Sequence, residues 1–388
     1  MTLITDSGDL TAFCARLSRE DYITVDTEFM REKTYWPKLC LVQVGGTEEA
    51  AAIDALAPGL DLAPLLALLE KPALLKVFHA ARQDVEIFYQ LAGAVPAPLF
   101  DSQIAAMVCG FGDSVAYDTL VAKLTKARID KSSRFADWSH RPLTKRQLDY
   151  ALADVIHLRQ VYEKLKARLD RSGRSHWLEA EMAVLTDPAT YRMEPEEAWR
   201  RIKLRGANPR RLAVLREIAA WREREAQARD VPRNRIVRDE ALVDIAARAP
   251  KSVAELARTR GMGRGLAEGR QGEALLAAIA RGLALPAEDC PEPPERPERP
   301  AGLGPVIDLL KVLLKMKCED YGVAQRLVAS SEDLERIAAD DRADVPALRG
   351  WRREVFGEDA LAVKHGRLAL AVGDRKLRLV PQSKREVA

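Results

Sequence analysis

Several kinds of function are ruled out by what this 388-residue sequence lacks. Its five cysteines, Cys14, Cys40, Cys109, Cys290 and Cys318, are odd in number, widely scattered and never spaced as CxxC. That argues against a disulfide framework or a structural zinc site and points to a reducing compartment, the cytoplasm. The histidines, His79, His140, His157, His176 and His365, include no HExxH pair and read as structural or surface residues. No stretch approaches the roughly 18 apolar residues of a membrane span, and the opening MTLITDSGDLTAF has neither the basic start nor the apolar run of a signal peptide. There is no GxxxxGK(S/T) loop for a nucleotide-driven motor and no GxSxG nucleophile elbow. Gly261-x-Gly263-x-Gly265 follows no strand and reads as an interhelical turn, not a dinucleotide fingerprint. Aromatics are scarce, at 6%, so the cores must be built from Leu, Ala, Val and Ile, and helix should dominate.

Hydrophobic residues at 47% and charged residues at 31% describe a folded chain long enough for two or three domains. The net charge of +3 hides an asymmetry: residues 202–282 carry 18 Lys and Arg against 10 Asp and Glu, a local +8, which leaves −5 for the rest. A basic segment beside an acidic one suits a phosphate-binding module next to a carboxylate-rich site. A solvated, arginine-rich helical surface is the plainer alternative.

The first part of the chain alternates strand and helix patterns. Strands are expected at Tyr22-Ile23-Thr24-Val25, Leu39 to Val44, Ala51 to Ile53 and Leu74 to Phe78, the first three as an antiparallel meander. Helices are expected at Pro64 to Glu70, Arg82 to Leu91, Ser102 to Val108 and Tyr117 to Leu124. A longer one should start at Thr144, which forms a capping-box pair with Gln147, and run to about Leu169. From Asn208 the pattern is wholly helical, with Leu212, Leu215 and Ile218 on one stripe and Leu242, Ile245 and Ala246 on another. PAEDCPEPPERPERPAGLGP, between Pro286 and Pro305, reads as a semi-rigid linker, and Val306, Leu309, Leu313 and Met316 open a second helical module beyond it.

Four acids and a tyrosine carry the chemistry. Asp26 and Glu28 are i and i+2 on a strand, so they project from one face while Thr27 points away. Asp84 falls in the first turn of a helix, where the macrodipole favours a carboxylate in any case. Tyr150 and Asp154 are i and i+4 and share a helix face, whereas Asp149 is out of phase. Singly, each has an ordinary structural explanation. Convergence would need compensation, because two unit charges ~4 Å apart repel by about 4 kcal/mol at an effective dielectric near 20. Divalent cations supply it, and hard oxygen donors suit Mg²⁺ or Mn²⁺. A tyrosine hydroxyl is a poor base at neutral pH, so Tyr150 is expected to aim the attacking water.

Asp26-Thr27-Glu28-Phe29, His79-Ala80-Ala81-Arg82-Gln83-Asp84 and Tyr150-Ala151-Leu152-Ala153-Asp154 resemble the three exonuclease motifs of the DEDD superfamily, in its tyrosine-bearing subclass. The run Asp130 to Val155, DKSSRFADWSHRPLTKRQLDYALADV, resembles the bacterial ribonuclease D family. Arg210 to Arg238 resembles an HRDC (helicase and ribonuclease D C-terminal) domain, and Gly304 to Val380 a more divergent copy. The resemblance implies an α/β ribonuclease H-like exonuclease domain, a mixed five-stranded sheet flanked by helices, at 1–170. After it come a connector at 171–205, an all-α HRDC domain at 206–286, a Pro-rich linker at 287–303 and a second all-α HRDC-like domain at 304–381. It implies 3′→5′ hydrolysis of RNA to nucleoside 5′-monophosphates with two Mg²⁺ or Mn²⁺ ions, and tRNA precursors with a free 3′ end as partners. Asp26, Glu28, Asp84 and Asp154 would hold metal and Tyr150 would orient water. Phe29 would either stack on the terminal base or fill the core under its strand. Arg210, Arg211, Arg233, Arg235 and Arg238 are candidates for RNA backbone contacts, with Lys311, Lys315 and Lys317 weaker ones. Trp138 and Arg141 read as loop anchors more than as a rim of the site. Two rivals stay open: a DNA-directed 3′→5′ exonuclease, and a non-catalytic RNA-binding protein with a vestigial site.

Overall fold

The computed structural model describes residues 2–204, 206, 208–293 and 302–382. Its first part is built on a mixed sheet of β1 (Thr2–Ile4), β2 (Tyr22–Met30), β3 (Lys38–Gly45), β4 (Ala50–Ile53), β5 (Leu75–Phe78) and β6 (Leu99–Asp101), in spatial order β1-β4-β3-β2-β5-β6. β2, β3 and β4 pair antiparallel as the expected meander. β1 on β4, β5 on β2 and β6 on β5 pair parallel. The sheet therefore has six strands rather than five. β1 and β6 have three residues each, too few to display the alternation by which a strand is recognised.

Both faces are covered, which explains why the strands read as nearly continuous apolar runs. Ile23, Val25, Val44 and Ile53 pack on the side of α1 (Ser7–Leu17), α2 (Ala63–Glu70) and α3 (Arg82–Ala92). Leu41, Ala52, Val77 and Phe100 face the other side, with α4 (Ser102–Val108), α5 (Tyr117–Thr125) and α6 (Lys145–Ser172). α6 starts at the anticipated capping box: Gln147 N–H donates to Thr144 Oγ1 at 3.2 Å and Thr144 N–H to Gln147 Oε1 at 3.0 Å. It ends at Gly173, whose φ of +66° is cheap only without a Cβ.

The connector after α6, including α7 (Glu179–Thr186), is shared among three cores. Trp177 and Leu178 join the α4–α6 side, Leu185 and Tyr191 the α1–α3 side, and Ala198 and Ile202 the next helical module. That module comprises α8 (Pro209–Ala228), α9 (Arg233–Ile236), α10 (Asp239–Arg248), α11 (Val253–Ala257), α12 (Arg264–Ala267) and α13 (Arg270–Ala284). α13 crosses α8 so closely that a Cβ on Gly282 would lie 2.6 Å from Val214 Cα. The module docks on the loop after β2. Tyr35 and Trp36 N–H both donate to Asp230 Oδ1 at 3.0 Å, and the Tyr35 hydroxyl donates to the buried Glu223, which also accepts from Arg233.

Of the expected linker at 287–303, residues 294–301 lie outside the described residues. The module after it opens with α14 (Leu303–Tyr321) but is not all-α: β7 (Leu368–Gly373) and β8 (Lys376–Pro381) form an antiparallel hairpin. Asp374 and Arg375 between them both have positive φ, +50° and +62°, as a type I′ turn demands. The alternation of Leu368, Leu370 and Val372 carried the strand signal, but it is only one hairpin long. Nor is this module merely tethered. Leu310, Leu313 and Phe356 share one core with Val77, Val108 and Leu165 of the first domain. Ala324 N–H donates to Met107 O at 3.0 Å, and the Trp177 and Trp351 rings stack at 4.1 Å with 5° between their planes.

Truncating Trp351 to Ala should therefore cost about 3–5 kcal/mol and lower the urea midpoint of the whole first domain together with the last module. Unfolding of the two as separate transitions, with only the last module affected, would show that the cores are independent.

Candidate active site

Period-two alternation along β2 sends Asp26 and Glu28 to the α6 side, where neighbouring Thr24 donates to the Val155 carbonyl of that helix at 2.8 Å. α6 returns Asp154, one turn beyond Tyr150, to the same place. The carboxylate oxygens of Asp26, Glu28 and Asp154 lie within 4.8 Å of one another. They open on a cavity of about 340 Å³ whose wall includes Tyr150, Thr27, His79, Tyr117, Lys131 and Arg134. Asp84 stands apart. It lies in the first turn of α3, is buried, and accepts a hydrogen bond from Thr27 Oγ1 on the opposite side of β2. Thr27, which the alternation directs away from the two acids, is thus the residue that ties the fourth acid to their strand.

The start of α3 is set by a tight turn. Ala80 has φ +59°, unusual for a residue with a Cβ, and Asp101 holds the turn by accepting from Ala80 N–H at 3.0 Å and Ala81 N–H at 2.9 Å. On the other flank, Arg141 pins the loop before α6. It binds Asp54 through Nε and Nη2 at 2.7 and 2.6 Å and also reaches the carbonyls of Trp138 and Cys40. Trp138 is buried, with its ring 6.1 Å from that of Tyr150. Both act as anchors.

Burial dominates the electrostatics. It pushes the Glu28 carboxyl up to about 10, with the charges of Asp26, Asp154 and Asp84 adding to the effect. Burial lifts Asp154 to about 7 against the opposing hydrogen bond from Tyr150. Asp26 is held well above the ordinary carboxylate range by burial and then by Asp154; Asp84 by burial and then by Asp26, with the Thr27 hydrogen bond opposing. Tyr150 is raised by burial, then by Asp154, Glu28 and Asp26, so its hydroxyl keeps its proton. Clustered acids, half-buried at Asp26 and Glu28 and buried at Asp154, offer only hard oxygen donors and fit a divalent cation of the Mg²⁺ or Mn²⁺ type.

Several contributors are not singled out by the sequence, although His79, Lys131 and Arg134 lie within the motif runs quoted above. The Tyr117 hydroxyl donates to the Asp154 carbonyl, and His79 Nδ1 lies 2.8 Å from Ser102 Oγ with its ring 5.0 Å from that of Tyr117. Burial lowers the His79 pKa. His79 thus lines the site instead of being an ordinary core or surface residue. Lys131, paired with Asp118 at 2.6 Å, and Arg134 bring positive charge to the cavity.

The arginines divide. Arg210 spends its guanidinium on the carbonyls of Gly282, Leu283 and Leu285 at the end of α13, Arg211 reaches the Val243 carbonyl, and Arg233 is held by Glu223 and Tyr35. These three guanidinium groups are thus engaged within the fold. Arg235 and Arg238 are exposed. Lys311 and Lys317 pair with Asp308 and Asp359; Lys315 lies beside Lys311 and Arg326 on a groove of the last module. Phe29, just past a bulge in β2, is half-buried against the sheet core.

Residues 1–170 match a 3′-5′ exonuclease family model, and residues 211–279 match the HRDC domain model. The chain is 56% identical to ribonuclease D of Granulibacter bethesdensis, covering 98% of this chain and 96% of that one. Against ribonuclease D of Acidiphilium cryptum the identity is 57%, with coverage of 97% and 96%. The crystal structure of Escherichia coli RNase D, an exoribonuclease involved in structured RNA processing, superposes with a TM-score of 0.81 at 31% identity, covering 94% of this chain and 99% of that one. Among the described residues no helix is long and apolar enough to cross a membrane. With its fold, its acidic cavity and its full-length kinship in agreement, the chain belongs to the ribonuclease D family and is an enzyme, a 3′→5′ exoribonuclease of that type.

Proposed function

We propose that this enzyme shortens RNA from the 3′ end to nucleoside 5′-monophosphates by two-metal-ion hydrolysis in the tyrosine-bearing mode, with the 3′ ends of tRNA precursors as its substrates. The observation that carries this reading is the gathering of Asp26, Glu28 and Asp154 around a cavity that Tyr150 walls. Asp26, Glu28, Asp84 and Asp154 are assigned as cation ligands; Asp26 is central because it feels Asp154 on one side and raises Asp84 on the other. Two Mg²⁺ or Mn²⁺ ions, when bound, activate water and stabilise the leaving oxygen of an in-line displacement. Tyr150, protonated at neutral pH, donates a hydrogen bond that directs the attacking oxygen and takes no proton from it. Lys131 and Arg134 offset the negative charge of the entering phosphate. Arg235 and Arg238 contact the RNA backbone further out, and the module from α14 to β8 is assigned as a second, divergent HRDC domain.

Replacing Asp26 with Asn should abolish release of 5′-mononucleotides from 3′-extended tRNA and from unstructured RNA, where the parent is active with Mg²⁺ or Mn²⁺. Faster parental cleavage of single-stranded DNA than of either RNA would overturn the substrate assignment. Tyr150→Phe should keep cation binding while kcat drops about 10²-fold, the scale of losing one preorganised donor. Parental turnover in that variant would remove the water-directing role.

A further test uses pH. Because folding raises the Glu28 and Asp154 carboxyls, the cation-free fold binds more protons than the unfolded chain, and its stability falls as pH rises above the ordinary carboxylate range. That loss accumulates up to about 7 for Asp154 and about 10 for Glu28. Thermal midpoints in EDTA should decline between about pH 5 and pH 9 on this linkage, and Mg²⁺ should raise the midpoint more at the higher pH. A Mg²⁺-induced shift independent of pH would contradict the ligand assignment.

A further inference from the structure

Among the described residues, Phe135 is the most exposed of the large hydrophobic side chains, at 91%. A ring held in water invites an explanation, and looseness of the segment does not supply one, because the chain is secured on both sides. Ser133 is buried before it and Trp138 after it, Arg134 N–H donates to Lys131 O at 3.1 Å, and Ala136 N–H donates to Ser133 O at 3.0 Å. The adjacent Arg134 lines the acidic cavity, and its charge is felt at the Tyr150 hydroxyl. Its guanidinium carbon lies 5.3 Å from the centre of the Phe135 ring. Cation and ring thus form one unit, with the cation in the cavity wall and the ring in solvent. Phe29, the aromatic beside the acids, is already packed against the sheet.

We propose that Phe135, steadied by Arg134, is a stacking subsite for the base of the nucleotide immediately 5′ to the one being removed. This rests on the RNA exonuclease reading: the terminal nucleotide occupies the cavity, and an exposed ring on the residue next to its wall is placed to meet the next base along the strand. Stacking on an aromatic ring tolerates any base, since every base has a π-face, which suits an enzyme that removes residues in succession. Arg134, which both lines the cavity and stands beside the ring, is placed to meet the phosphate that joins the two nucleotides.

The test compares the parent with Phe135→Ala and Phe135→Trp on three substrates in Mg²⁺: a short oligoribonucleotide, its twin with an abasic penultimate residue, and bis(p-nitrophenyl) phosphate. The Ala variant should show a KM raised about 5- to 150-fold on the intact oligonucleotide, with a smaller change in kcat. Phe135→Trp should restore the parental KM. On the abasic twin the parent should perform as poorly as the Ala variant, and the Ala substitution should cost nothing further. Hydrolysis of the small diester should be alike for all three proteins, and an unchanged thermal midpoint checks that this exposed site leaves the fold intact. A parental KM in the Ala variant, or equal losses on the intact and abasic strands, would overturn the subsite while leaving the exonuclease reading in place. A parent inert on all three substrates would overturn the exonuclease reading and the subsite with it.

Discussion

Mutual repulsion among carboxylates gathered on one cavity is the constraint around which the first domain is organised. Asp26, Glu28 and Asp154 are brought together in a place where burial already disfavours their charged forms. Such an arrangement persists only if the surrounding structure fixes each backbone position independently of the acids. β2 lies in the interior of the sheet, paired on both sides by β3 and β5. α6 is capped at Thr144, preceded by a loop that Arg141 pins to Asp54, and fastened to β2 through Thr24. The acids are imposed on a scaffold whose stability comes from elsewhere, so a divalent cation that relieved their repulsion would stabilise the fold as well as serve the reaction.

The helical modules meet this domain in different ways. The first docks through polar, charge-paired contacts, with Tyr35, Glu223, Arg233 and Asp230 at the junction. Buried ion pairs of this kind return little net stability after desolvation, but each demands its partner and so specifies one docking geometry. The last module joins through shared apolar volume and the stacked Trp177 and Trp351 rings, an association that adds stability as well as position. Basic residues follow the same division. Arginines at helix ends and module junctions close the fold, while Arg235 and Arg238 keep their side chains on exposed surface.

Local signals in the sequence were strong where one element explained them. The capping box at Thr144 and Gln147, the apolar runs of β2 to β5 and the shared face of Tyr150 and Asp154 are each a consequence of backbone periodicity within a few residues. Short or late elements escaped. β1 and β6 are too brief to show a period, and the β7–β8 hairpin follows a long helical stretch. The placing of Asp84 could not be read either. Its position in a first helical turn was legible, but its hydrogen bond with Thr27 depends on how α3 leaves β5, which Ala80 and Asp101 decide across about twenty residues of chain.

By itself the sequence determined the types of the longer elements, the pairing of Asp26 with Glu28 and the pairing of Tyr150 with Asp154, because these are properties of periods 2.0 and 3.6. Only the tertiary structure decided which of the five arginines are engaged within the fold, that His79 and Tyr117 border the acids, and that the Phe135 ring stands in solvent beside Arg134 of the cavity wall. The reason is physical: a side chain's partners are set by whatever distant segment packs against it, and long-range packing leaves no period in the chain.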